Sequence, residues 1–422
     1  MVTIQAMSAD TTSMLRESYC LPSPDDAIEL RAFTHGLMPK RVPAMMQQFV
    51  SDWQQYGVDA WNEVPNHWRP DSGDRVGWWT LPTYLGDQFI APLLGAPSSS
   101  CVMQPNAHWV VQCLLSSKEV FAKKRKVILT EAEFPSVRFS IHQWSNLLNL
   151  NVEILPLIND SIDEQAVLDA IDDNTALVIL SHVGFTTGER LRDAFIQAVA
   201  AKANACEALL ALDGYHSIGT MEASVSALNV DVYFGGLLKE GSGSSGNAFV
   251  YVRPGLQLTP RLTGWFGDAA PFEFNATPEA HPEVRQRFLG GTTAVVSLYH
   301  AVEGIRLLLH AGLDKVRLDS LEKTQRCIDR ALESGLHLRS PQEAARRSAM
   351  VIFEMERADL MVAYLKKHHV YADSRQGRFL RIAPFVWNTI REIDNTFDII
   401  STGIKNQKYL TVQQENAIGP VT

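Results

Sequence analysis

The residues best placed to do chemistry are Asp213 and Lys239, set 26 positions apart. Asp213 follows the apolar run Leu209–Leu212 and opens the segment Asp213-Gly-Tyr-His216-Ser-Ile-Gly219. Lys239 stands just before a glycine-serine run, Gly241–Gly246. In open α/β sheets ligands gather at the carboxyl ends of strands, and Asp213 falls at such an end. A carboxylate and a lysine amine in that setting suit pyridoxal 5'-phosphate (PLP). The carboxylate keeps the pyridine nitrogen protonated, so the ring remains an electron sink. The amine joins the aldehyde as a Schiff base and later moves protons. Alone, each residue reads more simply as a capping aspartate or a solvated loop lysine; the pair and its glycine loop favour the cofactor.

Three more positions fit that chemistry. The helix expected to begin near Asn106-Ala107 offers free backbone N–H groups, a natural cradle for phosphate. Phe134 can stack on a pyridine ring, worth about 0.5–1.5 kcal/mol, although by itself it reads equally as a core residue. Arg381 sits among Phe379, Leu380 and Ile382. An arginine in an apolar strand calls for a buried anion, and its fork grips a carboxylate bidentately.

The elements that must position these residues follow from periodicity. Lys126–Leu129, Val152–Leu155, Ala176–Leu180, Leu209–Leu212 and Asn247–Val252 read as buried strands. Helical patterns lie between them, near 106–120, 136–148, 162–172 and 190–204. Such alternation predicts an α/β fold with a mostly parallel sheet covered on both faces. The Gly241–Gly246 run could be a linker, but strand patterns close on either side argue for a tight loop. From Val295 the pattern turns helical to about Leu336, and strands are expected at 349–355 and 379–383. The division predicted is a large domain over 46–300 and a discontinuous small domain of 1–45 and 301–422.

The chain has 422 residues, 46% hydrophobic and 20% charged, a composition that suits two soluble domains. A formal charge of −9 leaves no electrostatic footprint for nucleic acid or an anionic membrane. Five scattered cysteines without a CxxC pair argue against a disulfide framework or a zinc site. No apolar run is long enough to span a bilayer, and the N-terminal MVTIQAMSADTTSMLR lacks a signal-peptide core. A soluble, cytoplasmic protein is expected.

Several motifs in order resemble the class-V group of PLP enzymes, and within it the kynureninases, from about residue 26 to 390. They are Asp213-x-x-His216-x-x-Gly219, Phe134-Pro135-Ser136, Gly264-Trp265-Phe266-Gly267 and Leu380-Arg381-Ile382-Ala383-Pro384. Shorter echoes are Trp61-Asn62, Asp87–Leu94, and Ser181 with Thr187-Gly188. The resemblance implies the aspartate-aminotransferase-like PLP fold, with a seven-stranded sheet and a small α+β domain. It adds Ser136, Ser181, His216, Trp265 and Thr292 to the cofactor shell and gives Arg381 the substrate α-carboxylate. It also implies a homodimer with shared active sites, Thr292 reaching across. The chain departs from that family at Leu238, where kynureninases carry a tyrosine, and at Val137, where they carry an aspartate. Ala107 replaces a phosphate-binding threonine, and Ala32–Gly36 replaces a Gly-Asn-Ser-Leu-Gly segment.

The resemblance implies kynureninase-like cleavage at Cβ of an amino-acid substrate, giving an anthranilate-type product and alanine. A divergent C–S lyase, aminotransferase or epimerase would use the same Lys239, Asp213 and Arg381. Cysteine desulfurase chemistry needs a cysteine shortly before the arginine, and none lies between Ser340 and Arg381. An inactive scaffold is disfavoured by the joint presence of Lys239, Asp213, Phe134 and Arg381.

Overall fold

A computed structural model describes residues 9–24 and 26–412. The first eight residues, part of the polar N-terminal stretch read above, lie outside that range.

The large sheet has seven strands: β1 (Cys101–Gln104), β2 (Lys126–Thr130), β3 (Asn151–Leu155), β4 (Thr175–Ser181), β5 (Leu209–Asp213), β6 (Val232–Gly236) and β7 (Ala248–Val252). Their spatial order is β1-β7-β6-β5-β4-β2-β3. Only β7 runs against its neighbours; the other six are parallel. Every residue of β4 is buried, as expected where helices cover both faces. Alternate residues feed two separate cores. Ile128, Val178, Leu180, Leu210 and Leu212 pack on one face; Val127, Leu129, Leu177, Ile179 and Ala211 pack on the other.

The five strands expected from apolar runs are all present, each within about one residue of its predicted limits. Strands β1 and β6 went unread because one is four residues long and the other ends in Gly235-Gly236. The helices α1 (Ala107–Ser116), α2 (Pro135–Leu148), α3 (Glu164–Ala170) and α4 (Asp193–Ala205) match the four predicted ones, with α1 and α3 shorter. Asn106 caps α1 by accepting the Trp109 N–H at 2.8 Å. Pro135 takes the first position of α2, where its missing N–H costs nothing.

The helical stretch after Val295 is broken into α5 (Val295–Ala301), α6 (Glu303–Ala311) and α7 (Leu313–Glu333). Gly312, at φ +92°, makes the second break with a backbone conformation that side chains rarely adopt. A second sheet follows: β8 (His337–Leu338), β9 (Val351–Glu354), β10 (Asp373–Arg375) and β11 (Phe379–Ile382), in the order β8-β9-β11-β10 and antiparallel throughout. Near the other end of the chain, Ile28–Glu29 pairs in parallel with Val370–Tyr371.

Candidate active site

The carboxyl ends of the central strands put Asp213 opposite Ser181 on one side and Phe234 on the other. Above them opens a cavity of about 220 Å³. Of the residues singled out in the sequence, Asn106, Ala107, Phe134, Ser136, Ser181, Asp213, His216 and Lys239 all line it. Helix α1 aims its first turn at the cavity, and the turn from β2 into α2 delivers Phe134 and Ser136.

Lys239 is 7% exposed, and its Nζ lies 2.8 Å from His216 Nε2. The same amine sits 4.7 Å from the Tyr215 ring centre and 5.9 Å from that of Phe134. Burial lowers the Lys239 pKa, opposed by the carboxylates of Glu240 and Asp213. Burial also holds His216 far below its ordinary value, with Lys239 and Arg381 pushing the same way, so its imidazole is neutral. A lysine shifted downwards supplies the free amine that attack on an aldehyde requires.

Asp213 is pushed up to about 6 by burial, against the pull of the Tyr215 N–H, which donates to Oδ1 at 2.9 Å, and of Lys239. A cationic pyridinium facing this carboxylate would offset that burial cost. Two observations fit PLP directly. His216 Nδ1 is buried without a partner, and the cavity brings an amine, a carboxylate, an aromatic face and a helix N-terminus together.

Arg381 lies outside this lining and is 2% exposed. The buried anion that its strand calls for is supplied by the chain itself. Arg381 Nε donates to Asp373 Oδ2 at 3.1 Å and Nη2 donates to the same oxygen, leaving Nη1 buried without a partner. Its guanidinium is held between Phe33 and Phe185, at 4.4 and 5.4 Å from the ring centres. Phe185 connects the two regions, since it lines the cavity and meets the Phe134 ring edge-on at 5.1 Å.

Trp265 and Thr292 are not brought to the cavity within this chain. Thr292 lines a neighbouring cavity of about 270 Å³ with Gln104, Trp109, Gly290 and Gly291. Trp265 is 36% exposed, in an aromatic cluster with Trp79 and Phe274. Sequence reasoning missed Tyr215, Phe185 and Glu133. Glu133 is fully buried and accepts the Ser181 hydroxyl at 2.5 Å. Leu238 and Val137 both line the cavity, so two departures from the kynureninase pattern lie at the site itself. Among the described residues no cluster of histidine, cysteine and acidic side chains could hold a metal ion.

Residues 93–377 match the family described as aminotransferase class-V. The chain belongs to that family. Its cofactor is pyridoxal 5'-phosphate, and among class-V enzymes it is kynureninase-like. An uncharacterized aminotransferase, YcbU of Bacillus subtilis (strain 168), is 30% identical over 317 residues, 74% of this chain and 81% of that protein. A kynureninase of Burkholderia mallei (strain SAVP1) is 27% identical over 410 residues, covering 92% of this chain and 93% of its own. Among solved structures, the apo cysteine desulfurase of Thermococcus onnurineus NA1 superposes with a TM-score of 0.78 at 18% identity, over 96% of this chain and 100% of that one. The cystine C-S lyase C-DES, in complex with its product cysteine persulfide, gives 0.76 at 16% identity, over 90% and 99% of the two chains. These two likenesses show the fold alone.

Proposed function

We propose that this class-V PLP enzyme acts on an α-amino acid and cleaves a bond at Cβ, as a kynureninase-like hydrolase or lyase. A kynurenine-type substrate plus water would give an anthranilate-type acid and alanine. The observation that carries the reading is the Lys239 amine, buried 2.8 Å from a neutral His216 in the cavity that also holds Asp213. When bound, PLP withdraws electrons from the substrate's Cα. Lys239 would hold the cofactor, and its amine would take and return the Cα proton. His216 accepts a hydrogen bond from that amine and keeps it aimed. Asp213 would anchor the pyridine nitrogen, Phe134 would cover the ring, and Asn106, Ala107 and Ser136 would hold the phosphate. Arg381 keeps both N–H groups of Nη1 for the substrate α-carboxylate.

A second reading rests on Leu238 and Val137. With apolar side chains where kynureninases carry a tyrosine and an aspartate, the cavity suits a divergent C–S lyase, aminotransferase or epimerase. Incubating the PLP-loaded protein with L-kynurenine and 3-hydroxykynurenine separates the two. Alanine and an anthranilate-type product support the first; cofactor binding without product supports the second and directs the search to sulfur-substituted amino acids. A protein that stays colourless with added PLP would be a scaffold.

The same reading assigns residues 46–300 to the PLP-binding domain and 1–45 with 301–422 to the small one. It places the enzyme in the cytoplasm as a homodimer, with Thr292 completing the partner's site. The exposed Phe272 and Phe274 beside Trp265 suit such an interface.

A further inference from the structure

Glu133 is a buried carboxyl that none of the roles above uses. It follows β2, directly precedes Phe134, and is 0% exposed. Thr130 Oγ1 donates to its Oε1 at 3.0 Å and Ser181 Oγ donates to its Oε2 at 2.5 Å. No ion pair reaches it among the described residues. Burying a carboxyl without a cation is costly, and two hydroxyl donors offset only part of that cost. Burial pushes Glu133 up to about 7, with Ser181 and Thr130 pulling down and Asp213 pushing up. The influence of Asp213 is the informative one, because Ser181 lies directly opposite Asp213 in the sheet.

Two side chains packed at this corner carry no charge, while the guanidinium groups of Arg190 and Arg317 act on His182 from beyond them. His182, next to Ser181, is held neutral by burial at about 3, with Nδ1 2.9 Å from the Tyr233 hydroxyl. Tyr233 is pushed up by burial and stays protonated. Lys239 is the cation that acts on Asp213, and it is the group that PLP consumes as a charge. The corner therefore holds two carboxyls: Glu133 accepts the Ser181 hydroxyl, and Ser181 is the residue paired with Asp213 across the sheet.

We propose that Glu133 is a positioning residue: through Ser181 it adds a second negative charge behind Asp213 and so holds the bound cofactor's pyridine nitrogen protonated. A cation at the ring nitrogen favours ionised Glu133, and ionised Glu133 favours the cation. The inference rests on the reading that Asp213 faces the pyridine nitrogen.

The test is the ¹⁵N resonance of ring-labelled PLP bound to the holoenzyme, followed against pH. Removing a nearby negative charge lowers the pKa of a cation, so Glu133→Gln should drop the midpoint for loss of the ring proton by about one pH unit, a tenfold change. Ser181→Ala should act in the same direction, and the double variant should add little to either. Glu133→Asp, which keeps the charge, should restore at least half of the shift. A midpoint unchanged in both Glu133→Gln and Ser181→Ala overturns the proposal. If Glu133→Gln fails to bind PLP, Ser181→Ala alone decides. An unchanged midpoint in Asp213→Asn would instead overturn the placing of Asp213 at the ring nitrogen.

Discussion

At the residue scale the site works by withholding solvent. Lys239, His216, Asp213 and Glu133 are all at least nine-tenths buried, and burial is the largest influence on each of their proton affinities. Lys239→Ala should lose turnover and the visible absorption of lysine-bound PLP together; retained turnover would remove Lys239 from the mechanism. The Glu133 carboxyl gives a pH signature in cofactor-free protein. Its folded-state pKa is raised, so the native chain holds the proton more tightly than the unfolded chain between about pH 4.5 and 7. Its contribution to stability is therefore lost as pH rises through that window. Glu133→Gln should gain stability relative to wild type across it, by a total on the order of 3 kcal/mol, and stay level above it. Denaturant melts at matched pH check this, and a difference independent of pH would contradict it. Arg381→Lys keeps the charge but loses the fork, and should raise KM about tenfold with kcat little changed.

Of these residues, Asp213 and Lys239 were legible because strand, spacing and glycine loop all point to one cofactor. Glu133, Phe185 and Asp373 were not, since a glutamate after a strand or a phenylalanine after a glycine carries no local pattern. Their roles come from neighbours 48, 51 and 8 positions away: Glu133 meets Ser181, Phe185 meets Phe134, and Asp373 meets Arg381.

At the element scale the glycine-serine loop is packed rather than loose. Gly241, Ser242 and Gly243 are buried, and a side chain on Gly243 would meet the Ala301 carbonyl oxygen at 2.3 Å. A linker would show neither feature. The segment Ala32–Gly36, unlike its kynureninase counterpart in sequence, comes up against this loop. A Cβ on Gly36 would lie 2.1 Å from the Lys239 carbonyl oxygen and 2.4 Å from Ser242 Oγ. Gly36→Ala should therefore cost about 1–3 kcal/mol and weaken PLP binding by displacing the lysine. Thermal melts and PLP titration measure both, and a variant matching wild type in each would show that the loop can yield. Apolar runs located the central strands because a parallel sheet covered on both faces has no polar stripe. The breaks in the helical stretch at Val302 and Gly312 escaped because hydrophobic periodicity continues across them.

At the scale of the whole molecule, Thr292 lies in a cavity beside Trp109, separate from the one that holds Lys239. The proposed dimer resolves that separation by letting each chain lend Thr292 to its partner. Sedimentation should give about twice the 47.0 kDa chain mass. Thr292→Ala should weaken PLP binding about tenfold, as loss of a hydrogen bond to a charged group would. A monomer that binds PLP fully would contradict the shared site. No helix among the described residues is long and apolar enough to cross a membrane. The shared architecture extends to a desulfurase and a C-S lyase, a likeness of fold alone.

The most direct test is borohydride reduction of the PLP-loaded protein followed by peptide mass mapping. The account predicts a single phosphopyridoxyl group, on the peptide that contains Lys239. A label on another lysine, or no label on a protein that binds PLP, would contradict it.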